Sequence, residues 1–285
     1  MTKRNKLIVL KGSGLLMEQL FENGTYQEWK KTDNHLEAIK EEMKNRIPEE
    51  MDRKHFVEEG VIVRHLKTAT YNTDVKELNE YLYNLGILTK VTRFEDIDKI
   101  KNFRNPIERY IKFNIGKKGK VEKVSYNFEE LTDNQLASLW VKEKNKANEL
   151  KEIIDEVKNQ MLQDEILLNL EEGKRKLECS YGSVSLLDKK RSHDGDAILQ
   201  EFGSKFVIEN SKPNMEDLQG FVIDGYITNK EIDQFRTLVS MGSKFIITTV
   251  EDYQKQGEVL DFKRMIQSKN LQELWSYKQQ DLFKD

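Results

Sequence analysis

The sequence predicts an α+β fold, with a small mixed N-terminal module, a long central helix accompanied by β-hairpins, and an α/β C-terminal module. Two observations favour this class. Segments with helical apolar spacing alternate loosely with short runs of strand-like alternation along the chain. Charged residues make up 34% of the chain and hydrophobic residues 37%, whereas a typical globular protein is about 25% charged. This balance favours long exposed helices or several small modules over one large core.

Local signals predict the elements of the N-terminal part in chain order. They are a strand at 7–10, a helix at 15–21, a second helix from about 26 to 46 that stops before Pro48, a strand at 61–63, a helix at 74–85 capped by Thr73, and a strand at 87–94. Asn23-Gly24 separates the first two helices, and Gly86 ends the third.

Two hairpins are predicted further along the chain. Tyr110 to Ile115 and Val121 to Phe128 both alternate like strands, and Gly116-Lys117-Lys118-Gly119 would join them. The second hairpin covers residues 176–187 and turns at Tyr181-Gly182.

One long helix lies between these hairpins. It begins at Thr132, because Gln135 follows three residues later at the spacing of a capping box. Its apolar phase is lost at Asp164, and a further helical piece over 166–170 stops at Gly173.

The C-terminal part contains one repeated phrase. Residues 203–208 read GSKFVI and residues 242–247 read GSKFII. Either both are similar strand starts, or a strand–helix unit is duplicated. Thr228 with Glu231 predicts another capped helix, and a final helix carries apolar positions at 271–275.

These elements predict three consecutive domains. They are an N-terminal α+β domain over 1–130, the long helix and β-hairpin over 131–192, and a C-terminal α/β domain over 193–285. Residues 191–195 contain no apolar side chain and are the best linker candidate.

The long helix carries an apolar seam with 3-4-3-4 spacing, which we expect to be a self-association surface. Its residues are Ala147, Leu150, Ile154, Val157 and Met161. Such a seam packs against another helix, either in the same chain or in a second copy. The sequence leaves both alternatives open.

Composition excludes several classes of protein. The net charge of −3 provides no global attraction to nucleic acid or membrane, although a local basic patch is compatible with it. The single Cys179 excludes an intrachain disulfide. The apolar run at 7–10 is shorter than the roughly 7–15 residues of a signal peptide or the about 20 of a membrane span. We therefore expect a soluble, cytoplasmic protein without membrane contact.

No motif predicts catalytic, cofactor-binding or metal-ligating residues. Residues 11–14 (KGSG) lack the spacing of a phosphate loop and favour an ordinary glycine turn. Residues 193–196 (HDGD) favour a solvated polar loop over a metal cluster, and Cys179 favours a buried structural thiol. We expect no cofactor and no enzymatic activity; an enzyme with a site assembled from scattered residues is the third alternative.

A cluster of lysines marks the first predicted hairpin as the best candidate for contact with nucleic acid. The cluster comprises Lys112, Lys117, Lys118, Lys120 and Lys123, with Tyr110 and Phe113 interleaved. With the helix and strand over 78–94 before it, the order is similar to that of winged-helix proteins, whose wing lysines would contact phosphates. The alternative is that these lysines only protect a strand edge.

Residues 145–191 resemble phage accessory proteins of the Gam-like host-nuclease inhibitor kind. The residues that carry the resemblance are ANELKEII at 147–154, YGSVS at 181–185 and KKR at 189–191. The resemblance implies a Lys/Glu-rich coil followed by a hairpin, and a protein that acts by binding in the cytoplasm of a host cell.

Taken together, these features favour a non-enzymatic phage-type anti-defence protein. It would self-associate as a homo-oligomer through the seam and sterically inhibit a host defence or nuclease complex, with several copies raising its apparent affinity. The alternative is a nucleic-acid-binding protein that uses the lysine-rich, wing-like hairpin over 110–128.

Overall fold

The structure is a computed structural model that describes residues 12–255, apart from 52, 96, 106–107, 123, 172–174 and 190–191. The predicted strand at 7–10, the helix stop at Gly173, Lys123 and the predicted final helix therefore lie outside the described residues.

Helices and small antiparallel sheets confirm the α+β class. The elements are α1 (Ser13–Glu22), α2 (Thr25–Arg46), β1 (Arg53–Phe56), β2 (Val61–Thr73), α3 (Val75–Asn84), α4 (Leu88–Val91), β3 (Thr92–Phe94), β4 (Arg109–Ile115), α5 (Asp133–Leu162), α6 (Glu165–Leu168), β5 (Lys176–Cys179), β6 (Gly182–Asp188), α7 (Gly195–Asn210), β7 (Ser211–Pro213), α8 (Met215–Ile223), α9 (Asn229–Asp233) and β8 (Arg236–Thr249), with 3-10 turns at Asp98–Phe103 and Lys117–Gly119.

The chain forms two compact units, each built from two separate segments. Unit 1 comprises residues 1–61 and 107–190, and unit 2 comprises residues 62–106 and 191–285. This division differs from the three consecutive domains expected over 1–130, 131–192 and 193–285. The physical reason within unit 1 is that the long helix α5 buries its apolar seam against α1 and α2, which come from the first segment.

Helix α5 is the longest helix of unit 1 and begins where the sequence predicts. The Thr132 hydroxyl accepts a hydrogen bond from the Gln135 N–H at 3.3 Å, and the Gln135 side chain accepts one from the Thr132 N–H at 2.8 Å. The capping box is thus confirmed. Apolar side chains of α1, α5, α6 and the neighbouring sheet form one core, which includes Met17, Leu20, Phe21, Ile154, Met161, Leu167 and Val184.

The sheet of unit 1 has the strand order β4–β6–β5 and is antiparallel throughout. The predicted Tyr181-Gly182 hairpin is confirmed as β5–β6. The hairpin predicted over 110–128 is wrong. A 3-10 turn at Lys117–Gly119 follows β4, and β4 pairs with β6 instead. The Gly116 N–H donates to the Tyr181 carbonyl at 2.7 Å, so this turn is bonded to the tip of the confirmed hairpin.

Gly182 is required at that tip. Its φ of 147° is one that side-chain-bearing residues rarely adopt, and an added Cβ would lie 2.1 Å from the Asn114 carbonyl oxygen. The close approach lets Ile111 and Phe113 of β4 sit opposite Leu186 and Val184 of β6. The alternating apolar side chains of β4 therefore serve its pairing with β6 and not the predicted hairpin.

Asp164 fixes the beginnings of two helices in unit 1. Its carboxylate accepts hydrogen bonds from the Ser13 N–H at 2.5 Å and the Ser13 hydroxyl at 2.6 Å, at the start of α1. It also accepts the Ile166 N–H at 3.0 Å, at the start of α6. Burial raises the pKa of this carboxyl, but the hydrogen bonds from Ser13, Ile166 and Leu167 outweigh burial and lower the pKa below its ordinary value.

Unit 2 is a helical core with the short strand pair β3–β7 and the two long strands β2 and β8. Helices α3, α4, α7, α8 and α9 contribute Leu78, Leu82, Leu88, Val91, Ile198, Val207, Leu218 and Ile232 to this core. Strands β3 and β7 pair antiparallel, with Thr92 opposite Pro213, and β2 neighbours β8. The buried Asn79 amide donates to the carbonyls of Ile208 at 2.9 Å and Ser211 at 3.0 Å, which links α3 to the end of α7.

Several predictions for unit 2 need correction. The first repeated phrase, over 203–208, lies in helix α7, which kinks at Gly203 (φ 78°), while the second lies in strand β8. Neither two strand starts nor a duplicated unit describes the pair. The predicted strand at 87–94 is helix α4 followed by β3. Asp74, not Thr73, caps α3, because its carboxylate accepts the Glu77 N–H at 3.0 Å.

We predict that Ile154→Ala destabilises unit 1, whereas Ile153→Ala does not. The two isoleucines are neighbours on α5, but Ile154 is 2% exposed and Ile153 is 46% exposed. Removal of the buried side chain leaves a cavity and should lower the free energy of unfolding by about 2–5 kcal/mol, against at most about 0.5 kcal/mol for the exposed one. Urea unfolding followed by tryptophan fluorescence measures both. Equal losses would contradict the burial of this seam.

We also predict that Asp164→Asn removes part of the pH dependence of stability. Because the folded-state pKa is depressed, the carboxylate stabilises the fold above its unfolded-state pKa of about 4, and this stabilisation disappears as pH falls through the folded-state value. The variant should unfold at lower urea concentration at neutral pH, and the difference from the natural protein should shrink below pH of about 4. A difference that stays constant across this pH range would contradict the role of the charge.

Candidate nucleic-acid interface

An aromatic cluster joins α1, α2 and the sheet of unit 1. It comprises Phe21, Tyr26, Trp29, Phe113 and Tyr181. The Phe21 ring stacks on Tyr26 at a centroid distance of 4.5 Å and on Tyr181 at 4.9 Å. The Tyr26 ring lies 5.6 Å from Trp29 and 6.1 Å from Phe113. These separations lie in the range of favourable aromatic pairs, so the cluster holds its rings in defined orientations.

Local sequence explains how α2 contributes to the cluster. Gly24, with φ of 80°, separates α1 from α2 and lets the chain turn between them. Tyr26 and Trp29 follow at a spacing of three residues, so both project from the same side of the first helical turns. The Tyr26 ring meets Phe113 of β4 edge to face, and Trp29 lies beside Tyr26.

Three lysines lie over faces of these rings. The Lys118 ammonium is 4.2 Å from the centroid of Tyr181, Lys158 is 5.5 Å from Phe113, and Lys30 is 5.6 Å from Trp29. A cation over an aromatic face is attracted by the negative charge of the ring face. The aromatic surface is therefore flanked by positive charge in several places.

A cavity of about 270 Å³ opens beside the cluster, between α2, β4 and α5. We call it the aromatic–lysine groove. Its lining residues are Tyr26, Trp29, Tyr110, Ile111, Lys112, Phe113, Lys151, Ile154, Asp155 and Lys158. Four of these are aromatic and three are lysines, so the groove combines flat apolar walls with positive charge. β4 is an edge strand of its sheet, which explains how residues from both of its faces border the same cavity.

The charges of the groove are only partly balanced. Asp155 is its single acidic lining residue, and its carboxylate lies 3.5 Å from the Lys158 ammonium. Lys112 and Lys151 are exposed and form no ion pair with any described residue. Two uncompensated ammonium groups thus remain beside exposed aromatic surface, and they favour an anionic ligand.

Neighbouring groups show how the groove walls are held. Burial raises the pKa of the Tyr26 phenol, with a smaller opposing influence from the Lys30 ammonium. The Lys146 ammonium on α5 donates to the Glu28 carboxylate on α2; this hydrogen bond lowers the pKa of Glu28 and raises that of Lys146. The ion pair links two of the elements that line the groove, α2 and α5.

The predicted lysine cluster is divided by the structure. Lys112 lines the groove, Lys118 lies over Tyr181, and Lys117 and Lys120 are exposed at the 3-10 turn. Lys123 lies outside the described residues. The helix and strand expected to precede a wing, over 78–94, belong to unit 2, whereas these lysines belong to unit 1.

The predicted self-association seam lies inside unit 1. Ala147, Ile154 and Met161 are buried, and Leu150 and Val157 are partly buried. Ile154, Met161 and Val157 pack in the core that α1 and the sheet complete. Of the two alternatives left open by the sequence, packing within the chain is the one these side chains adopt. The formation of a homo-oligomer stays a prediction.

The other polar motifs of the sequence have structural roles. The start of α1 is bonded to the Asp164 carboxylate through the Ser13 N–H and the Ser13 hydroxyl, so the chain's own anion occupies this position. Asp194 caps α7 by accepting the Ala197 N–H at 3.0 Å. Burial raises the pKa of the Cys179 thiol, which opposes formation of the reactive thiolate.

The chain matches no protein family model, no curated protein and no solved structure. Within the described residues, no group of three or more His, Cys, Asp or Glu side chains is placed to hold a metal ion. No helix in the described part of the chain is long and apolar enough to cross a membrane.

Proposed function

We propose that this protein is a non-enzymatic nucleic-acid-binding protein whose first unit holds a short single-stranded segment in the aromatic–lysine groove. The observation that carries the proposal is the lining of one cavity by four aromatic side chains and three lysines with a single carboxylate. Proteins that bind single strands combine these same two features, because bases stack on aromatic rings while the phosphates are attracted to cations.

The geometry favours a single strand over a duplex. Bases in a duplex are stacked on one another, so their faces are hidden from side chains, whereas an unpaired base exposes its face. The groove, at about 270 Å³, is slightly smaller than the roughly 300–1,000 Å³ pockets of small-molecule ligands. It suits one or two bases. The exposed Tyr110 provides the accessible ring, and Lys112 and Lys151 lie beside it for the phosphates.

Inhibition of a host defence or nuclease complex stays a prediction. A strand bound in the groove would be sterically covered and withheld from a nuclease. The proposed binding activity is thus compatible with that wider role. It requires neither a catalytic group nor self-association through α5.

We predict that two sets of groove variants weaken binding to a short fluorescent oligothymidylate. Tyr110→Ala removes a stacking ring and should lower affinity by about 5- to 150-fold, from about 1–3 kcal/mol per stacked base. Lys112→Gln with Lys151→Gln should reduce the slope of log affinity against log salt by about 1.4, since each phosphate contact on a single strand contributes about 0.7. Fluorescence anisotropy across a salt titration measures both effects.

Matched controls are available in the chain. Tyr83 is 39% exposed in unit 2, against 41% for Tyr110, so Tyr83→Ala tests the loss of an exposed tyrosine elsewhere. Lys142→Gln with Lys144→Gln removes two lysines from α5 that do not line the groove. Should the control variants lose as much affinity as the groove variants, or should only changes at Lys117 and Lys120 matter, the groove would not be the binding site.

A further inference from the structure

Strands β2 and β8 of unit 2 form a long ribbon whose middle is exposed. Residues 66–72 of β2 and residues 237–244 of β8 are all exposed. Successive side chains of a strand point to opposite faces. A continuous exposed run therefore means that both faces of the ribbon are accessible. Most strands in globular proteins bury at least one face, so a ribbon with both faces exposed is unusual.

Side-chain contacts define the direction of the ribbon and its two faces. His65 contacts Ser243 and Phe245, and a Cβ on Gly242 would lie 3.2 Å from the Thr68 hydroxyl. Residue numbers thus fall along β8 as they rise along β2, so the strands run antiparallel. By alternation, Lys67 shares the face of His65.

Lys244 lies on the other face of the ribbon. It is separated by one residue from both Ser243 and Phe245, whose side chains share the face of His65. Each face of the ribbon therefore carries one lysine.

The charge of the ribbon differs from that of the whole chain. Asp and Glu account for 50 of 285 residues, yet none occurs in the 13 residues of β2 or the 14 residues of β8. Arg64 lies over the Tyr253 ring, and Arg236 pairs with Asp233. Lys67 and Lys244 are exposed and form no ion pair with any residue that the structure describes. An acid-free surface with unpaired lysines is complementary to an anionic partner.

Hydroxyl and amide groups surround these lysines. The exposed middle of the ribbon contains Thr68, Thr70, Tyr71, Asn72, Thr237, Ser240 and Ser243. Such side chains, together with lysines, supply most contacts to the phosphates and sugars of DNA. The ribbon is thus rich in groups that bind a phosphate backbone and contains no group that repels one.

We propose that the β2–β8 ribbon lies in the major groove of a nucleic-acid duplex. Neighbouring strands are about 4.8 Å apart, and a two-stranded ribbon fits the roughly 12 Å width of the major groove of B-form DNA. In this position Lys67 and Lys244, which lie on opposite faces of the ribbon, approach the two phosphate backbones. The site uses other residues than the aromatic–lysine groove and does not depend on single-strand binding there.

The test measures binding of the full chain to a short fluorescent DNA duplex and to an oligothymidylate, each across a salt titration. The ribbon variant is Lys67→Gln with Lys244→Gln. We expect the slope of log duplex affinity against log salt to fall by about 1.8, from about 0.9 for each of two phosphate contacts, with oligothymidylate binding unchanged. Lys67→Arg with Lys244→Arg keeps the charges and should keep the slope. Lys76→Gln with Lys90→Gln removes two exposed lysines of the same unit outside the ribbon and is the matched control.

Three results would overturn the proposal. The first is a natural protein that does not bind duplex at low salt. The second is a ribbon variant whose duplex affinity and salt slope match those of the control variant. The third is a mass by light scattering that corresponds to an oligomer and falls to the monomer value in a Val239→Lys, Met241→Lys variant, which would assign the ribbon to contact between copies. A failure of the groove proposal can be distinguished from a failure of the ribbon proposal. The Lys112→Gln, Lys151→Gln variant should alter the binding of oligothymidylate and leave the salt dependence of duplex affinity unchanged.

Discussion

The packing of α5 against α1, α2 and the sheet is the constraint on which unit 1 depends. The apolar seam of α5 is buried along one side, with Met161 and Ile154 fully inside the core. The Lys146–Glu28 pair links α5 to α2 beside this apolar contact. The positions of Tyr26 and Trp29 relative to Lys151 and Lys158 follow from this packing. The groove is therefore a consequence of how one long helix is buried, and not a separate feature added to the fold.

Local signals in the sequence predict the elements that depend on neighbouring residues. The Thr132–Gln135 capping box, the Tyr181-Gly182 hairpin and the bounds of α2 all follow from patterns a few residues long, and the structure has all three. The pairing of β4 with β6 joins segments separated by the whole of α5, so no local pattern specifies it. The phrase GSKF illustrates the same limit, because it is helical in α7 and extended in β8. Burial against different neighbours overrides local preference there.

The groove residues illustrate why a site is harder to predict than a helix. Lys112 is found from the sequence because it lies in a lysine-rich stretch, but its partners Trp29 and Lys151 lie in distant segments. The sequence contained one signal for the two lysines of α5. Lys151 follows the seam residue Ala147 by four positions, and Lys158 follows the seam residue Ile154 by four. That spacing places both lysines beside the buried side of the helix. It could not show which aromatic rings would meet them, because those rings come from α2 and β4.

The burial of the seam also changes how the protein could act on a larger partner. An apolar seam that is already filled by the chain's own side chains cannot also join copies without unfolding unit 1, because exposing Ile154 and Met161 would forfeit the core around them. The lysines of the ribbon act against pairing of copies as well, since charged side chains on exposed strands disfavour strand addition. Both features agree with the proposals for the groove and the ribbon, in which each unit contacts nucleic acid through exposed surface that carries lysines. An anionic polymer such as nucleic acid satisfies both surfaces with one chemistry, whereas an apolar protein partner would leave the unpaired lysines of the groove and the ribbon without counter-charges.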